Sequence, residues 1–386
     1  MVHVVIVSRI YAPEVAAAAG ILASWARAFR DNGCEVTVVT SVPPRGTMTD
    51  DPPAIVVRRA PVLRDRQQYV RGYLSYLSFD VPLVFRLLFA RKADLYVVEP
   101  PPTTVAAVRM VAALRRTPYA VDSADLWSDA AAMVTNSRLV LTLLRWVEVW
   151  GLKGARHLFA AHDPLIARFR ELGIHTGATP IGFGADVEAF TYRREPLPAT
   201  PVFVYAGTYS EWHGAGIFIE AFAEFLPRHP GSRLRFIGNG QERAVLTARV
   251  TELGISHSVT FEDPIPPREL APILAGATAS LASLKPGQGY DYAFTTKVYS
   301  SIAAGCPVIF TGVGPTVPFL KNAANPDAGV AVAYDAERVE AELERASNHP
   351  IEQSARERLS TWAKSEYSLA SVAERVVSTS LSLTAK

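Results

Sequence analysis

The chain has 386 residues, of which 49% are hydrophobic and 20% charged, and its formal net charge at pH 7 is +2. This length predicts two domains, and the near balance of charge gives no indication of nucleic-acid binding. Cys34 and Cys306 lie far apart in apolar stretches, which is typical of buried thiols in a reducing compartment.

The N-terminal stretch MVHVVIVSRIYAP has no basic region followed by a long apolar run, so it predicts a first strand rather than a signal peptide. No apolar run approaches the roughly 20 residues that a membrane-spanning helix needs. We therefore expect a cytoplasmic protein, and the sequence leaves open whether it lies peripherally against a membrane.

Along the first half of the chain, short apolar strands alternate with amphipathic helices. Nearly continuous Val, Ile and Leu strands in this alternation predict a parallel sheet covered on both faces. The predicted strands are 2–9, 35–42, 55–61, 93–100, 118–124 and 156–163, and the predicted helices are about 18–32, 69–91, 103–116 and 138–154.

The second half repeats this alternation after a charged, proline-rich stretch, TYRREPLPATP, which predicts a linker. The predicted fold class is therefore α/β, with two doubly wound, Rossmann-like parallel-sheet domains facing a cleft. We predict an N-terminal domain at 1–190, a linker at 191–200 and a C-terminal domain at 201–364. The strands predicted in the second half are 201–207, 234–240, 259–265, 278–284, 306–312 and 328–335.

Ligands of doubly wound domains bind at the carboxyl ends of the strands, so functional residues are expected just after strands. The loop after the first strand, SRIYAPEVAAAAG, lacks the G-x-G-x-x-G pattern of a nicotinamide dinucleotide site. The chain has no G-x-x-x-x-G-K-[ST] phosphate loop and no Asp-x-Asp, and its His and Cys residues lack metal-ligand spacing. The sequence therefore predicts neither a metal nor a cofactor.

A diphosphate site built from backbone amides and a lysine remains as the candidate. AGTYSEWHG ends a strand and begins a helix, where Gly207 lets a ligand approach the backbone and Thr208 offers a hydroxyl. Thr295 and Thr296 are expected to cap the helix that begins near Lys297, whose ammonium would attract a phosphate. The local sequence leaves open the alternative that Lys297 extends to the surface as a solvated cation.

Several further candidates have a structural alternative. Asp122 and Asp125 flank a strand end, where they serve catalysis or acceptor binding, or simply cap the helix begun by DLWSD. His213 is either a ligand contact or an ordinary surface histidine. His162 and Asp163 follow a strand, and N-capping of the next helix by Asp163 is the favoured interpretation.

Two helical segments bear on membrane contact. In RLVLTLLRWVEVWGL, the three- and four-residue spacing of apolar residues favours core packing over a membrane role. The segment 69–91 interleaves aromatic and basic side chains, which fits an interfacial or lipid-acceptor groove as well as ordinary helix packing. These side chains are Tyr69, Arg71, Tyr73, Tyr76, Phe79, Arg86 and Phe89.

Motifs along nearly the whole chain resemble, in collinear order, the motifs of one known protein family. FTTKVYSSIAAGCPVI resembles P-S-K-x-x-E-Y-x-A-A-G-x-P-V-I, and VYAGTYSEWHGAGIFIEAF resembles G-T-L-x-x-x-x-G-L-x-x-L-I-E-A-F. RFIGNGQERAVL is similar to G-x-G-x-E-x-x-x-L, PIGFGADVEAF to P-N-G-V-D-x-x-x-F, and SRIYAPEVAAAAG to Y-F-P-P-E-x-G-G-A. These patterns belong to the large retaining glycosyltransferase family 4, which has the GT-B fold. VDSADLW and the segment 69–91 resemble its O-antigen and lipid-linked-sugar subgroup.

The resemblance implies a nucleotide diphosphate sugar donor, UDP- or GDP-linked, held mainly by the C-terminal domain, with Lys297 on the diphosphate. It also implies that the chain end at 365–386 crosses back onto the first domain, where Trp362 and Tyr367 are expected to pack. The other implied donor-side positions are Gly207, Thr208, His213, Asn239, Glu242, Thr296 and the backbone of Pro264 and Ile265, and the acceptor-side positions are Tyr11, Glu14 and Trp127.

The chain departs from the family pattern at the donor site. Thr208 and His213 stand where arginine and lysine are common, which leaves Lys297 as the main fixed cation. Ser300 stands where a glutamate usually binds the ribose hydroxyls, and the partner position falls on Tyr292, with Asp291 beside it as a substitute.

A further departure lies in the acceptor domain, where Ala124 replaces a histidine that many members carry. Asp122 or Asp125 is the candidate to serve instead. The resemblance implies transfer of a sugar from the donor to an acceptor hydroxyl with retention, without metal, to an acceptor that can be lipid-linked. Two alternatives stay open, which are a UDP-sugar epimerase of the same architecture and a non-catalytic nucleotide-sugar-binding protein.

Overall fold

The computed structural model describes residues 1–14, 17–49, 51–65, 68, 70, 72–135, 137–321 and 326–384. They form two compact units, each with its own sheet. Unit 1 comprises Met1–Phe183 together with the chain from Leu369 onward, and unit 2 comprises Gly184–Ser368. The sequence predicts divisions at 190 and 365, a few residues from these positions.

Unit 1 alternates strands with helices, and its neighbouring strands pair in parallel. Its elements are β1 (His3–Val7), α1 (Ala17–Asp31), β2 (Glu35–Ser41), β3 (Ile55–Ala60), α2 (Tyr73–Phe89), β4 (Leu95–Val98), α3 (Pro102–Arg115), β5 (Tyr119–Ser123), α4 (Trp127–Val134), α5 (Arg138–Lys153), β6 (His157–Ala160), α6 (Asp163–Glu171) and β7 (Ala178–Pro180). The seven strands lie in the order β3-β2-β1-β4-β5-β6-β7. Every predicted strand of this half is present, while the short edge strand β7, which ends in a proline, was not predicted.

Unit 2 has the same architecture with six parallel strands. Its elements are β8 (Val202–Ala206), α7 (Ile217–Phe225), β9 (Arg233–Ile237), α8 (Arg243–Glu252), β10 (Val259–Glu262), α9 (Pro267–Ala275), β11 (Ala279–Leu284), α10 (Lys297–Ala303), β12 (Val308–Gly312), α11 (Thr316–Leu320), β13 (Gly329–Val332), α12 (Ala336–Asn348) and α13 (Gln353–Tyr367). The strand order is β10-β9-β8-β11-β12-β13. The predicted α/β class with two Rossmann-like domains is confirmed.

The sheet of unit 1 separates two apolar cores. Successive side chains of β1 point to opposite faces, so Val5 and Val7 pack on the side of α2 and α3, while Val4 and Ile6 pack on the other side. There α1 and the last helix, α14 (Leu369–Thr384), cover the sheet, and the Ser24 hydroxyl donates to the Leu369 carbonyl at 3.1 Å. Burial on both faces explains why the strands are nearly all apolar.

One packing prediction is wrong, and the prediction of core packing for α5 holds only in part. Trp362 and Tyr367 pack within unit 2, with ring centroids 5.9 and 5.1 Å from Phe319, because α13 ends before the chain returns to unit 1. Helix α5 buries only Glu148, Gly151 and Leu152 among its described side chains, whereas Leu139, Leu143 and Trp146 are exposed. Its apolar residues extend around the helix beyond the side that α3 and α4 cover. Within the described part of the chain, no helix is long and apolar enough to cross a membrane.

Candidate functional site

Lys297 begins α10 in unit 2, just after a loop that follows β11. The predicted capping of this helix is wrong. Thr296 already has helical dihedral angles and its side chain makes no capping hydrogen bond, and the buried Thr295 hydroxyl has no partner among the described residues. The Thr295 N–H instead donates to the Thr316 hydroxyl at 3.1 Å. The two threonines therefore shape the entry to the helix without capping it.

The ammonium of Lys297 is buried, so the alternative of a surface lysine is wrong. Its Nζ lies 3.8 Å from the centroid of the Tyr205 ring, a cation–π distance, and finds no hydrogen-bond partner in the described ranges. Burial lowers the pKa of Lys297 from its usual 10.5 to about 7. A buried donor without a partner is costly, and an anion beside it would remove that cost.

Two glycines, Gly207 and Gly238, lie close to this ammonium and to each other. A Cβ on Gly207 would come within 3.1 Å of the Lys297 Nζ, and a Cβ on Gly238 would come within 2.0 Å of the Gly207 carbonyl oxygen. Both residues have positive φ, at 141° and 149°. The loops after β8 and β9 therefore lie backbone against backbone, tied by the Tyr209 N–H, which donates to the Asn239 carbonyl at 3.1 Å.

These loops enclose a pocket of about 310 Å³ in unit 2. The predicted donor-side residues that line it are Gly207, Thr208, Asn239, Pro264, Ile265, Lys297 and Ser300. The structure thus brings seven predicted residues from four separate segments to one pocket. Phe190, Leu270, Leu274 and Ser301, which also line it, were not predicted.

Five predicted donor-side residues do not line this pocket. Burial and the nearby charge of Lys297 lower the pKa of His213 to about 4, so its imidazole is neutral at pH 7. Asp291 is exposed and accepts from the Gly287 N–H at 3.0 Å within its own loop. Glu242 precedes α8, where burial and the charge of Glu211 raise its pKa. Tyr292 and Thr296 complete this set.

Unit 1 has its own pocket, of about 440 Å³, near the carboxyl ends of β4, β5 and β6. The predicted residues Asp122, Asp125 and Trp127 line it, together with Glu99, which was not predicted. Burial and the charge of Glu99 raise the pKa of Asp122 to about 8, and burial raises the pKa of Asp125. The rest of the wall is Ala18, Ile21, Trp25, Pro100, Ala124, Ala130, Ala161, Ile181, Gly182 and Phe183.

Helix capping around this pocket differs from the prediction. Neither Asp122 nor Asp125 caps α4. The Glu148 carboxylate on α5 accepts from the backbone N–H groups of Trp127 at 2.7 Å and Ser128 at 3.1 Å. Likewise His162, not Asp163, caps α6, because its Nδ1 accepts from the Leu165 N–H at 3.1 Å. The two aspartates are therefore not used as caps.

Tyr11 and Glu14, predicted on the acceptor side, do not line this pocket. Tyr11 is buried, which raises its pKa to about 12. Glu14 forms a largely buried ion pair with Arg64 at 2.9 Å. Both residues therefore have structural partners in unit 1.

The comparisons with known proteins follow this two-unit division. Residues 18–184 match the family described as a glycosyl transferase 4-like domain, and residues 200–349 match glycosyl transferases group 1. Both family models describe glycosyl transferase domains, the first over most of unit 1 and the second over most of unit 2. Among curated relatives, the D-inositol 3-phosphate glycosyltransferase of Corynebacterium jeikeium is 32% identical over 151 residues, 34% of each chain. That of Acidothermus cellulolyticus is 28% identical over 206 residues, 50% of this chain and 41% of the relative. The match thus spans about a third of the length of the first of these relatives.

Solved structures of glycosyltransferases share the whole fold. The sucrose-phosphate synthase of Thermosynechococcus elongatus superposes with a TM-score of 0.74 at 17% identity, covering 99% of both chains. HepE of Anabaena in complex with UDP superposes with a TM-score of 0.71 at 14% identity, covering 99% of this chain and 100% of that one. At these identities the likeness concerns the fold, which is GT-B.

Proposed function

We propose that the protein is a glycosyltransferase that moves a sugar from a UDP- or GDP-linked donor to an acceptor hydroxyl, with retention at the anomeric carbon and without a metal. One observation carries the proposal. The buried ammonium of Lys297, which has no hydrogen-bond partner among the described residues, lies beside Gly207 in a pocket of about 310 Å³, a volume within the range of small-ligand sites. A diphosphate placed there would supply the charge that the lysine lacks.

Lys297 is the residue to which we assign stabilisation of the leaving group. As the bond to the anomeric carbon breaks, negative charge grows on the diphosphate, and a cation already fixed in a desolvated site stabilises that charge. Gly207 lets a phosphate oxygen approach the backbone beside the ammonium, since a Cβ there would lie 3.1 Å from the Lys297 Nζ, and Gly238 allows the loop after β9 to pack directly against Gly207. Thr208 and Ser300 add hydroxyls on the same wall. The leaving diphosphate itself takes the acceptor proton, so the mechanism requires no dedicated base.

The nucleotide is assigned to the far side of the same pocket. Pro264 and Ile265 line it beside Asn239, where exposed backbone groups can pair with a base. HepE, whose fold this chain shares, has been solved with UDP and with UDP-glucose. We therefore favour UDP over GDP as the carrier. The acceptor is assigned to the pocket of unit 1, with Asp122, Asp125 and Trp127 on its wall.

Binding of UDP at pH 8 is expected to be accompanied by proton uptake. Free Lys297, with its pKa lowered to about 7, is largely neutral at pH 8, and a bound diphosphate favours the ammonium form. Isothermal titration calorimetry in two buffers of different ionisation enthalpy measures the proton uptake. Titrations with UDP, GDP and dTDP, each with and without EDTA, show which nucleotide binds and whether binding needs a metal. His213, with a pKa of about 4, does not titrate in this range.

The Lys297→Met variant is the matched comparison for that titration. It should bind UDP more weakly and take up no proton. Equal proton uptake in both proteins would contradict the assignment of Lys297. Loss of UDP binding on adding EDTA would contradict the proposal that no metal is needed. Retention is tested separately by NMR of the product's anomeric centre, and formation of an epimer without acceptor would instead favour an epimerase.

We further propose peripheral membrane contact through the segment 69–91. Its Tyr69 and Arg71, and the side chain of Tyr73, lie outside the described residues. The described part of α2 exposes a row of large apolar side chains, and the Arg86 guanidinium donates to the Arg58 carbonyl at 2.9 Å at its end. Burial and the charge of Arg58 lower the pKa of Arg86, so two cations lie together beside the row. The row is Leu74, Leu77, Val81, Phe85 and Phe89.

The double variant Phe85→Ser, Phe89→Ser should lose binding to vesicles that contain phosphatidylglycerol, since it removes two of the largest exposed apolar side chains of α2. Co-sedimentation measures the bound fraction. The control is Val245→Ser, which changes an equally exposed apolar residue on α8 of unit 2. Wild-type protein that stays in the supernatant at low salt would contradict the membrane proposal.

A further inference from the structure

The pocket of unit 1 has an unusual balance of charge. Three carboxyl groups line it, from Glu99, Asp122 and Asp125, and none of its described lining residues is basic. The remaining wall is apolar or aromatic, with Trp127 and Phe183 among its rings. The described lining therefore offers an anionic ligand no cation to pair with, whereas a cationic ligand would meet acids.

Two of these carboxyl groups lie side by side. Val98 of β4 pairs with Val121 of the neighbouring parallel strand β5. Glu99 and Asp122 are the next residues along these two strands. The charge of Glu99 acts on Asp122, and the Asp122 carboxyl has no side-chain hydrogen bond within the described ranges. The Glu99 carboxyl accepts one, from the Ser8 hydroxyl at 2.9 Å. A paired acid site of this kind favours a ligand that brings positive charge.

The surrounding groups do not neutralise the pair. Arg9 is buried and acts on Glu99, but the same guanidinium also acts on Asp80 of α2. It stacks 4.1 Å from the centroid of the Tyr76 ring and does not line the pocket. One arginine thus acts on two acids, and among the described residues no cation acts on Asp122.

A second, independent feature points to a ligand in this pocket. Trp25 lines it and is only 1% exposed, yet its indole N–H has no hydrogen-bond partner in the part of the chain that the structure describes. A buried indole N–H normally finds an acceptor. A hydroxyl oxygen of a bound ring would supply one, while Trp127 offers an apolar face for the ring itself.

We propose that this pocket binds a hydroxylated ring bearing an ammonium group, with the ammonium held between Glu99 and Asp122. This inference deepens the proposed function, on which it rests for the role of the ring as sugar acceptor. The ammonium donates hydrogen bonds to both carboxylates, and a ring hydroxyl accepts from Trp25. A phosphorylated ring is disfavoured in this pocket, because none of its described lining residues is basic.

Binding of an ammonium ligand is expected to release protons from the acid pair. Burial raises the pKa of Glu99 to about 7 and, with the charge of Glu99, that of Asp122 to about 8, so the free pair holds protons at pH 7. Arg9 and the Ser8 hydroxyl oppose the shift at Glu99, and Asp125 is the other acid of the pocket. Binding of an ammonium ion favours both carboxylates, so protons leave for solvent as it binds.

Three probes of one ring size test the inference on the full chain without nucleotide: glucosamine, glucose and glucose 6-phosphate. Glucosamine is expected to bind roughly tenfold or more tightly than glucose, because it gains charge-assisted hydrogen bonds. It should release protons at pH 7, as measured by calorimetry in two buffers. Glu99→Gln and Asp122→Asn should each remove the preference and the proton release, and Asp122→Glu should retain them. Glu171→Gln, an exposed acid on α6, is the control.

Equal binding of glucose and glucosamine, tighter binding of glucose 6-phosphate, no measurable binding of glucosamine, or an unchanged preference in Glu99→Gln would each overturn the inference. Folding of each variant is checked by circular dichroism and thermal unfolding, because Glu99 and Asp122 lie in unit 1 and UDP binding in unit 2 would not report on them. UDP binding separates the two claims. Normal UDP binding without the ammonium preference defeats this inference alone, whereas the preference without UDP binding supports the ligand class and defeats the proposed function.

Discussion

The Lys297→Ala variant is expected to lose roughly 10²–10³-fold in kcat, because one preorganised charge on a leaving group has an effect of that size. The protein should remain folded, since the ammonium has no hydrogen-bond partner among the described residues and its removal breaks no ion pair. Initial rates of UDP release with saturating donor and acceptor measure the loss. A folded variant with unchanged turnover would refute the assignment of Lys297.

Two comparisons separate catalysis from stability in this experiment. Lys364→Ala removes an exposed lysine on α13 and should leave both rate and melting temperature unchanged. Lys297→Met should melt at or above the wild-type temperature at pH 7. The folded-state pKa of about 7 lies below the usual 10.5, so protonation of Lys297 opposes folding fully below pH 7. This penalty fades as the pH rises from 7 to 10.5, and the advantage of Met should fade with it.

The Gly238→Ala variant is expected to have the largest effect on the donor site after Lys297. A Cβ there would lie 2.0 Å from the Gly207 carbonyl oxygen, and the backbone at φ 149° is strained for any other residue. Because the obstacle is backbone, the loops after β8 and β9 would have to separate. We expect the free energy of unfolding to fall by about 3–5 kcal/mol. We also expect the variant to lose UDP binding.

Gly254→Ala is the matched control for this substitution. Gly254 also has positive φ, 71°, but a Cβ there would meet nothing within 4 Å. It should therefore show only the backbone penalty of about 1–2 kcal/mol and bind UDP normally. Thermal unfolding and UDP titration of both variants give the comparison. Equal losses in the two proteins would mean that the close approach of the loops contributes nothing.

Local patterns predicted the elements that carry the fold. The apolar runs of β1 and β12 are buried on both faces of their sheets, and such runs predict strands regardless of their neighbours. Part of the lining of the unit 2 pocket was also predicted, because Gly207, Asn239 and Lys297 each follow a strand or loop that parallel topology brings to one edge, and the roles of these residues stay a prediction. β7 was missed because three residues carry too little pattern.

Features that depend on contacts between distant segments were not predictable in this way. Glu148 caps α4 from 20 residues away on α5, and no local signal marks such a partner. The outer face of α5 has the spacing of a core helix but is left exposed, because burial depends on which neighbours pack against it. Glu99 begins a loop just after a strand, where functional residues are expected, but its position beside Asp122 follows only from the pairing of β4 with β5.

The sequence by itself thus determined most of the strands, the longer helices and the segment that contains Lys297, since hydrophobic period and motif spacing are local properties. Only the tertiary structure decided that the Lys297 ammonium is buried against Tyr205, that Gly238 touches Gly207 and that Asp122 lies beside Glu99. Burial and pairing set the charge state of these groups, and both depend on the order in which strands assemble. That order is a property of the folded chain as a whole.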